Sequence, residues 1–475
     1  MEDLQAFISE LRLIIKQQSE TITELKETLE SQSKRIVELE DQVRILKKRK
    51  NSNNSSVPPS MDLNRPTAKP NQSLRHSSDK KNGGQPGHKG ETLKMSLQPD
   101  HIIPLKVESC THCSQSLLGA DHQKTASRQV VDIPPVKPVY TQYDQYSVCC
   151  PHCAWINKAS FPDSVKAPIQ YGPGVMASIA YLSSRQYLSM ARIAELFTNF
   201  YGLNISEGTV ANLLTSLAKK AYPLYTDILE KLRSSDSYVG SDETGCRIEG
   251  QLKWLWALQN DDYTFLYPSK NRGFETIKNL LESEKEPNYI LVSDCLALYF
   301  KLGGRNHQIC LAHIRRDVQY ARELEPKNKW LTKLDELLLE ALKLKDRLLE
   351  RYPDPEQWGQ SIDRYWIKAR KDLEKQLNKW IAKPVKNLGE TALRLKKRLT
   401  KHIESLTRFL HHHFLPPDNN GSERAIRNVK VKTKVSGQFR TMKGAHIFAI
   451  FRSIIDTFSK QNKDPFRLLI QLAET

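Results

Sequence analysis

The chain has 475 residues, 27% of them charged, and 72 Lys and Arg against 54 Asp and Glu give a formal net charge of +18. That length exceeds what one hydrophobic core serves and predicts three or more units. Fields this positive suit a polyanion; no apolar run reaches a membrane-spanning length and Met1-Glu2-Asp3-Leu4 opens no leader, so the expectation is a cytosolic protein acting on nucleic acid.

The first expected element is a long helix. Ile8, Ile15, Ile22, Leu29, Ile36 and Val43 recur every seven positions. Leu4, Leu11, Leu25, Leu39 and Leu46 take the companion positions, with Gln18 and Gln32 in the gaps. Mostly β-branched residues at one seam position and Leu at the other predict a parallel dimeric coiled coil over residues 1–50, hence a homodimer or higher oligomer. After Lys47-Lys48-Arg49-Lys50, the Asn, Ser and Pro content of residues 51–95 predicts a flexible basic linker. Within it, Gly83-Gly84-Gln85-Pro86-Gly87-His88-Lys89-Gly90 suits either a phosphate backbone or an inert tether.

Eight cysteines, clustered along the chain, argue for metal rather than a disulfide scaffold. Cys110-Thr111-His112-Cys113 and Cys150-Pro151-His152-Cys153 are two C-x-x-C turns, and two such turns close a tetrahedral Zn²⁺ site. Residues 96–165 are therefore expected to form a zinc ribbon around one structural zinc held by Cys110, Cys113, Cys150 and Cys153. Cys149 is an alternative to Cys150, and His112 or His152 are weaker ones. The alternating runs Val130-Val131-Asp132-Ile133 and Tyr140-Thr141-Gln142-Tyr143 suit its strands.

Residues 166–235 read as helical. One helix covers Met190 to Phe197, Gly202 marks a stop, and Ser206 is the expected N-cap of the next. Two helices around a glycine-bearing turn suit a helix-turn-helix-like DNA-binding unit, with Ser206, Thr209 and Asn212 near the groove; any helical hairpin with a capped second helix has the same pattern.

From Tyr238 the order strand, strand, strand, helix, strand is expected, with Asn260-Asp261-Asp262 as a hairpin turn. This order matches a ribonuclease-H-like α/β core. Asp242 and Asp294 end the short apolar runs that read as its first strand and the strand after the helix, and Glu423 opens a later helix. Three carboxylates so set can meet around two divalent cations and act on a phosphodiester. Each also has a structural explanation, as turn, helix cap or first-turn acid. Glu243 and Asp418 are rival ligands. The first part of the core spans 236–324, an all-α insertion 325–413, and the second part with C-terminal helices 414–475. The insertion should bury Trp330, Leu334, Leu337, Leu338, Ala341 and Leu344 on one face. Its Arg394, Lys396, Lys397, Arg398 and Lys401 suit a solvated face or DNA, and His411-His412-His413 is discounted as a metal tract because neighbouring helical residues point apart. After Glu423 come Arg424, Arg427, Lys430, Lys432, Lys434, Arg440 and Lys443 before the next acid, Asp456. That imbalance beside the acid suits substrate phosphates. The fold class expected is a multidomain α+β chain.

With these motifs together, the chain resembles the transposases of the insertion-sequence-66 family. The stalk, the Gly83 to Gly90 stretch, the cysteine pairs, Asp242-Glu243-Thr244, Cys310-Leu311-Ala312-His313-Ile314-Arg315-Arg316 and, most specifically, Asp418-Asn419-Asn420-Gly421-Ser422-Glu423-Arg424 carry the resemblance. It implies a DDE triad on Asp242, Asp294 and Glu423 with two Mg²⁺ or Mn²⁺, binding to the inverted repeats that end a mobile element, cleavage and strand transfer, and a cytoplasmic, nucleoid-associated bacterial protein with helper proteins from the same element as partners. Cys310 and His313 look like half a metal site, for which a structural role near the acids is expected. Ser422 stands where the family more often has alanine. A catalytically silent repressor and a structure-specific nuclease of the same fold are the alternatives.

Overall fold

A computed structural model describes residues 2–47, 93–282, 288–302, 306–360, 362–385 and 388–474. The fold is mixed α+β, with an N-terminal helix and a sheet-containing core. The linker expected at 51–95 falls almost wholly outside the described residues.

Helix α1 (Glu2–Lys47) is one continuous rod. Its seam residues Ile8, Ile15, Ile22, Leu25, Leu29, Ile36, Leu39 and Val43 are all exposed. Beyond it, no residue from 93 to 176 is buried. Strands β1 (Ser147–Cys149) and β2 (Ile156–Lys158) form a short antiparallel hairpin around the second C-x-x-C turn. The strands expected at 130–133 and 140–143 are not formed: those residues have no ladder partner, and Val130 and Ile133 are exposed. Alternation alone does not make a strand where no second layer receives its apolar side.

From Pro173 the chain compacts. Helices α2 (Pro173–Ser184), α3 (Met190–Tyr201) and α4 (Glu207–Arg233) follow the expected punctuation. Gly202 ends α3 in the left-handed region (φ 64°), and the Ser206 hydroxyl accepts the Thr209 N–H at 3.0 Å to cap α4. Strands β3 (Tyr238–Ile248), β4 (Gln251–Gln259) and β5 (Thr264–Ser269) make an antiparallel meander. Its first turn, Glu249-Gly250, has both residues at positive φ, 58° and 74°, which matches the twist of a two-residue hairpin. Helix α5 (Phe274–Leu281) crosses to β6 (Ile290–Ser293), which lies parallel to β3. A short α6 (Ala297–Phe300) leads to β7 (His307–Ile309), also parallel, so the sheet order is β5-β4-β3-β6-β7. Helix α7 (Leu311–Leu324) follows. The insertion comprises α8 (Lys329–Arg351), α9 (Gln357–Gln360), α10 (Arg364–Ala382), α11 (Glu390–Lys401) and α12 (Glu404–Thr407). The chain then returns as α13 (Asn420–Ser436), α14 (Met442–Lys460) and α15 (Pro465–Glu474).

Three apolar clusters hold these elements. One joins α2, α3, α4, α14 and α15 to one face of the sheet through Val239, Trp256 and Phe265. The second packs α7 and the insertion onto Tyr238, Ile290 and Val292, and it buries the whole expected face from Trp330 to Leu344. The third seats α13 and the start of α14 on Cys246, Ile248 and Leu255. β5 is an edge strand, but its Thr264 and Leu266 N–H groups donate to the Thr457 and Ser453 hydroxyls of α14 at 3.0 and 2.9 Å. A helix thus satisfies the backbone groups that would otherwise invite a foreign strand.

Candidate active site

Asp242 does not end its strand as expected. Pairing with β4 carries β3 on to Ile248, so the acid lies mid-strand; it is the parallel pairing with β6 that stops beforehand, at Gly240 opposite Val292. Two residues beyond that pair, on neighbouring strands, stand Asp242 and Asp294. Asp242 Oδ1 accepts the Glu243 N–H at 2.9 Å, and Asp294 Oδ1 accepts the Leu296 N–H at 3.0 Å. Burial holds the Asp242 carboxyl well above the ordinary carboxylate range, and the charges of Glu243, Asp294 and Glu423 push it further.

Strand alternation sends Glu243 to the other side of the sheet. There Arg272 donates to its Oε1 from Nε and Nη2, at 2.8 and 2.6 Å, and Tyr299 donates to Oε2 at 2.7 Å. Burial raises this carboxyl too, against the pull of those donors. Arg272 also lies over the Trp254 ring, 4.7 Å from its centroid. The other rival, Asp418, spends both oxygens on Asn420 at the start of α13. Both rivals thus have protein partners for their oxygens.

The string around Glu423 acts as a docking device. Asn419 donates from Nδ2 to the Ser241 carbonyl at 2.7 Å, fixing the start of α13 beside Asp242. Ser422 donates to Asn419 Oδ1 at 2.7 Å and is fully buried. Gly240 allows the approach: a Cβ there would stand 2.6 Å from Gln259 Nε2 and 2.7 Å from Ser422 Oγ. A Cβ at Gly421 would overlap the same Gln259 amide, which Lys460 Nζ holds through Oε1 at 3.0 Å. Glu423 then projects between the strands and α7. Its Oε1 is buried without a hydrogen-bond partner, 3.8 Å from His313 Nε2 and 3.9 Å from Arg316 Nη2.

Cys310 and His313 join elements. The Cys310 sulfur accepts the Asn419 N–H at 3.2 Å and lies 3.1 Å from His313 Nδ1, and burial pushes the thiol up to about 12. A thiol held neutral in this way is a packing and hydrogen-bonding joint between α7 and α13 rather than a ready metal ligand.

The donor set suits a hard divalent cation: oxygens only at Asp242, Asp294 and Glu423, an orphaned carboxylate oxygen, and mutual repulsion that a cation would cancel. Among the described residues, however, no three His, Cys, Asp or Glu side chains are gathered closely enough to hold a metal as they stand. The same applies to the cysteines. Each C-x-x-C turn is formed alike: Ser114 N–H donates to the Cys110 carbonyl and Ala154 N–H to that of Cys150, both at 2.9 Å, with φ of 57° and 56° at Ser114 and Ala154. Turn N–H groups hold the Cys110 and Cys150 thiols below their ordinary value. The second turn starts at Cys150, while Cys149 belongs to β1 and donates from sulfur to the Ala154 carbonyl at 3.4 Å.

Of the cations expected to meet DNA, Arg424, Arg427 and Lys434 are exposed and Lys430 is half-buried, its ammonium drawn lower by burial. Lys432 needs correction. Its ammonium turns inward to the carbonyls of Leu188, Ser183 and Tyr187, at 3.1, 3.5 and 3.5 Å, and burial lowers it to about 8. Arg398 is likewise no solvated-face residue, since it pairs with Asp317 of α7. Ser206 spends its hydroxyl on the α4 cap, whereas Thr209 is half-buried and Asn212 exposed. Arg272, Tyr299, Gln259 and Asn419 were not expected. Only Asn419 had a signal, inside the Asp418 to Arg424 string; the others reach the site from segments without a motif.

A family model described as Transposase IS66 family matches residues 168–447, more than half of the chain. The chain belongs to the IS66 transposase family. A second model, a family of unknown function (DUF6444), matches residues 1–94. The chain is also 26% identical over 342 residues to the uncharacterized protein y4jD of Sinorhizobium fredii (strain NBRC 101917 / NGR234). That match covers 65% of this chain and 64% of the relative, so the chain spans less than two thirds of that protein's length. Within the family region lie Asp242, Asp294, Glu423, Cys310 and His313. Among the described residues, no helix is long and apolar enough to cross a membrane.

Proposed function

We propose that the protein is a DDE transposase with a ribonuclease-H-like core, which binds the terminal inverted repeats of a mobile element, cuts there and joins the freed end to target DNA. The observation that supports this reading is the Asn419 clamp on Ser241, which sets Glu423 within electrostatic range of Asp242, itself beside Asp294.

Asp242, Asp294 and Glu423 would hold two Mg²⁺ or Mn²⁺, which when bound polarise the phosphoryl oxygens and lower the pKa of water. The remaining work falls to the chain. Asn419, Ser422 and Gly240 keep the third acid from drifting off the sheet, which matters because misplacement of about 1 Å costs on the order of 10²-fold in rate. Water attacks the phosphodiester at the element end and a 3′-hydroxyl leaves. That hydroxyl then attacks a target phosphodiester, forming one new bond and releasing a target 3′-hydroxyl, with no covalent protein intermediate. Arg424, Arg427, Lys430 and Lys434 on α13 would meet backbone phosphates. The α3 and α4 pair, with Thr209 and Asn212, is the candidate for reading the repeat.

The N-terminal part would supply assembly: α1 pairs with a second copy as a parallel coiled coil, and one structural Zn²⁺ on Cys110, Cys113, Cys150 and Cys153 orders the ribbon. Bacterial cytoplasm, at the nucleoid, is the setting, with helper proteins of the same element as further partners. The test is Mn²⁺-dependent cleavage of a duplex bearing the element's own end. Asp242→Asn, Asp294→Asn and Glu423→Gln should each abolish cutting, by about 10³-fold or more, while repeat binding by gel shift stays within about threefold. Normal cutting by any of these variants would remove that residue from the triad.

A further inference from the structure

Several cations on the elements around the acids are already taken by protein partners, and Lys430, which feels Asp242 and Glu423, is half-buried on α13. Arg272 is bound to Glu243. Arg315 and Arg322 converge on Asp335 of α8 at 2.9 and 3.1 Å. Arg398 holds Asp317, and Lys432 is spent on main-chain carbonyls. Arg316 differs. Its guanidinium makes no hydrogen bond among the described residues, and the carboxylate beside it, Glu423, stands 3.9 Å away, beyond hydrogen-bond reach. The side chain is 34% exposed, so it opens to solvent at the acid cluster rather than being sealed beneath it.

The backbone that carries Arg316 is fixed on both sides. Cys310 anchors the start of α7 to Asn419, and the Arg315 and Arg322 pairs with Asp335 tie the helix to the insertion. His313, one turn earlier on the same face, approaches the same Glu423 oxygen at 3.8 Å. A guanidinium that is held in place, open on one side and carries five unspent donors suits an oxyanion, and in a protein acting on DNA the oxyanion at hand is a backbone phosphate. Two parallel N–H donors can grip two of its non-bridging oxygens at once.

On the transposase reading above, we infer that Arg316 receives the scissile phosphate, donating to its non-bridging oxygens while the three acids act on the same phosphorus. A guanidinium there would offset charge that builds on the phosphoryl oxygens as the nucleophile arrives. It would also relieve the repulsion between a DNA phosphate and three nearby carboxylates. A merely structural Arg316 would do neither, because its only task would be to balance Glu423.

The test uses full-length protein and a duplex bearing the element's end, with the scissile phosphate native or replaced by a neutral methylphosphonate. In buffer without added divalent metal, the replacement should weaken wild-type binding by about tenfold but Arg316→Gln binding by less than about twofold, since the contact is already gone. With Mn²⁺ and the native duplex, Arg316→Gln should lower kcat by about 10²-fold with little change in KM, and Arg316→Lys should restore part of it. Equal methylphosphonate penalties in wild type and Arg316→Gln, alongside wild-type cutting, would overturn the role of Arg316 alone. A wild-type protein that binds the end but never cuts it would overturn the transposase reading and this inference with it.

Discussion

From residue 93 to 176 no residue is buried, and the described seam residues of α1 pack against no other described part of the chain; from Ala177 onward three apolar clusters close around a five-stranded sheet. The two regions solve folding differently. The sheet-and-helix body supplies its own counterparts: α14 caps the β5 edge, Arg272 neutralises Glu243, and Lys432 takes the loose carbonyls after α2. The N-terminal region instead presents an exposed heptad seam and two preformed thiol turns, groups suited to a second helix and to a metal ion. Burial of about 25 cal/mol per Å² of apolar surface is available to it only if a partner arrives.

The largest effect that would sharpen this contrast is at the seam. Ile22→Asp with Leu29→Asp places charges where two helices would meet, and the dimer dissociation constant should rise by about 10³-fold or more. Light scattering on full-length protein should register monomer, while the melting transition of the body moves by less than about 2 °C. A body that melts early in this variant would mean that α1 packs on its own chain and that the two regions are not independent.

How much of this was visible beforehand follows the same division. Four of the sheet's five strands, the hairpin turn at Asn260, the Ser206 cap, the Gly202 stop and the buried face from Trp330 to Leu344 stood in the residue pattern, because local periodicity and caps are read one element at a time; the three-residue β7 and the run of β3 beyond Asp242 did not. The strands at 130–133 and 140–143 failed because alternation says nothing of whether a second layer exists. Lys432 failed for a related reason: a lysine within a basic run has the same letter whether it faces water or three carbonyls. All three acids stood in readable sequence settings. What surrounds them, Tyr299 and Arg272 on Glu243 behind the sheet and Gln259 beneath Gly421, depends on tertiary proximity that no spacing encodes.

A smaller effect should come from zinc. Replacing Cys113 and Cys153 by serine leaves the turn backbones intact but removes two thiolates, so zinc bound per chain, by mass spectrometry of the metal, should fall from about one to near zero. Protease cleavage within 96–165 should quicken by about tenfold while the body resists as before. Unchanged metal content would place the zinc elsewhere or remove it from the protein.

The smallest effect tests the body where it is least self-sufficient. Asp242 is buried and its acidic neighbours repel it, so its carboxyl protonates more readily in the folded chain than at its ordinary value of 3.8. A raised folded value means that the wild type is best placed below pH 3.8, where the group is neutral in both states, and loses ground as pH climbs through the folded value. Asp242→Asn, neutral throughout, should therefore be the more stable protein above that window, by on the order of 1 kcal/mol or a few degrees in Tm, with the gap closing as the solution is acidified toward 3.8. Thermal melts at several pH values in metal-free buffer would read this directly. An acid that merely capped a turn would give the opposite sign, since removing a cap costs about 0.5–2 kcal/mol. The sign thus separates a carboxylate kept at a cost in stability for a bound cation from one kept for the fold, and it does so without any DNA in the tube.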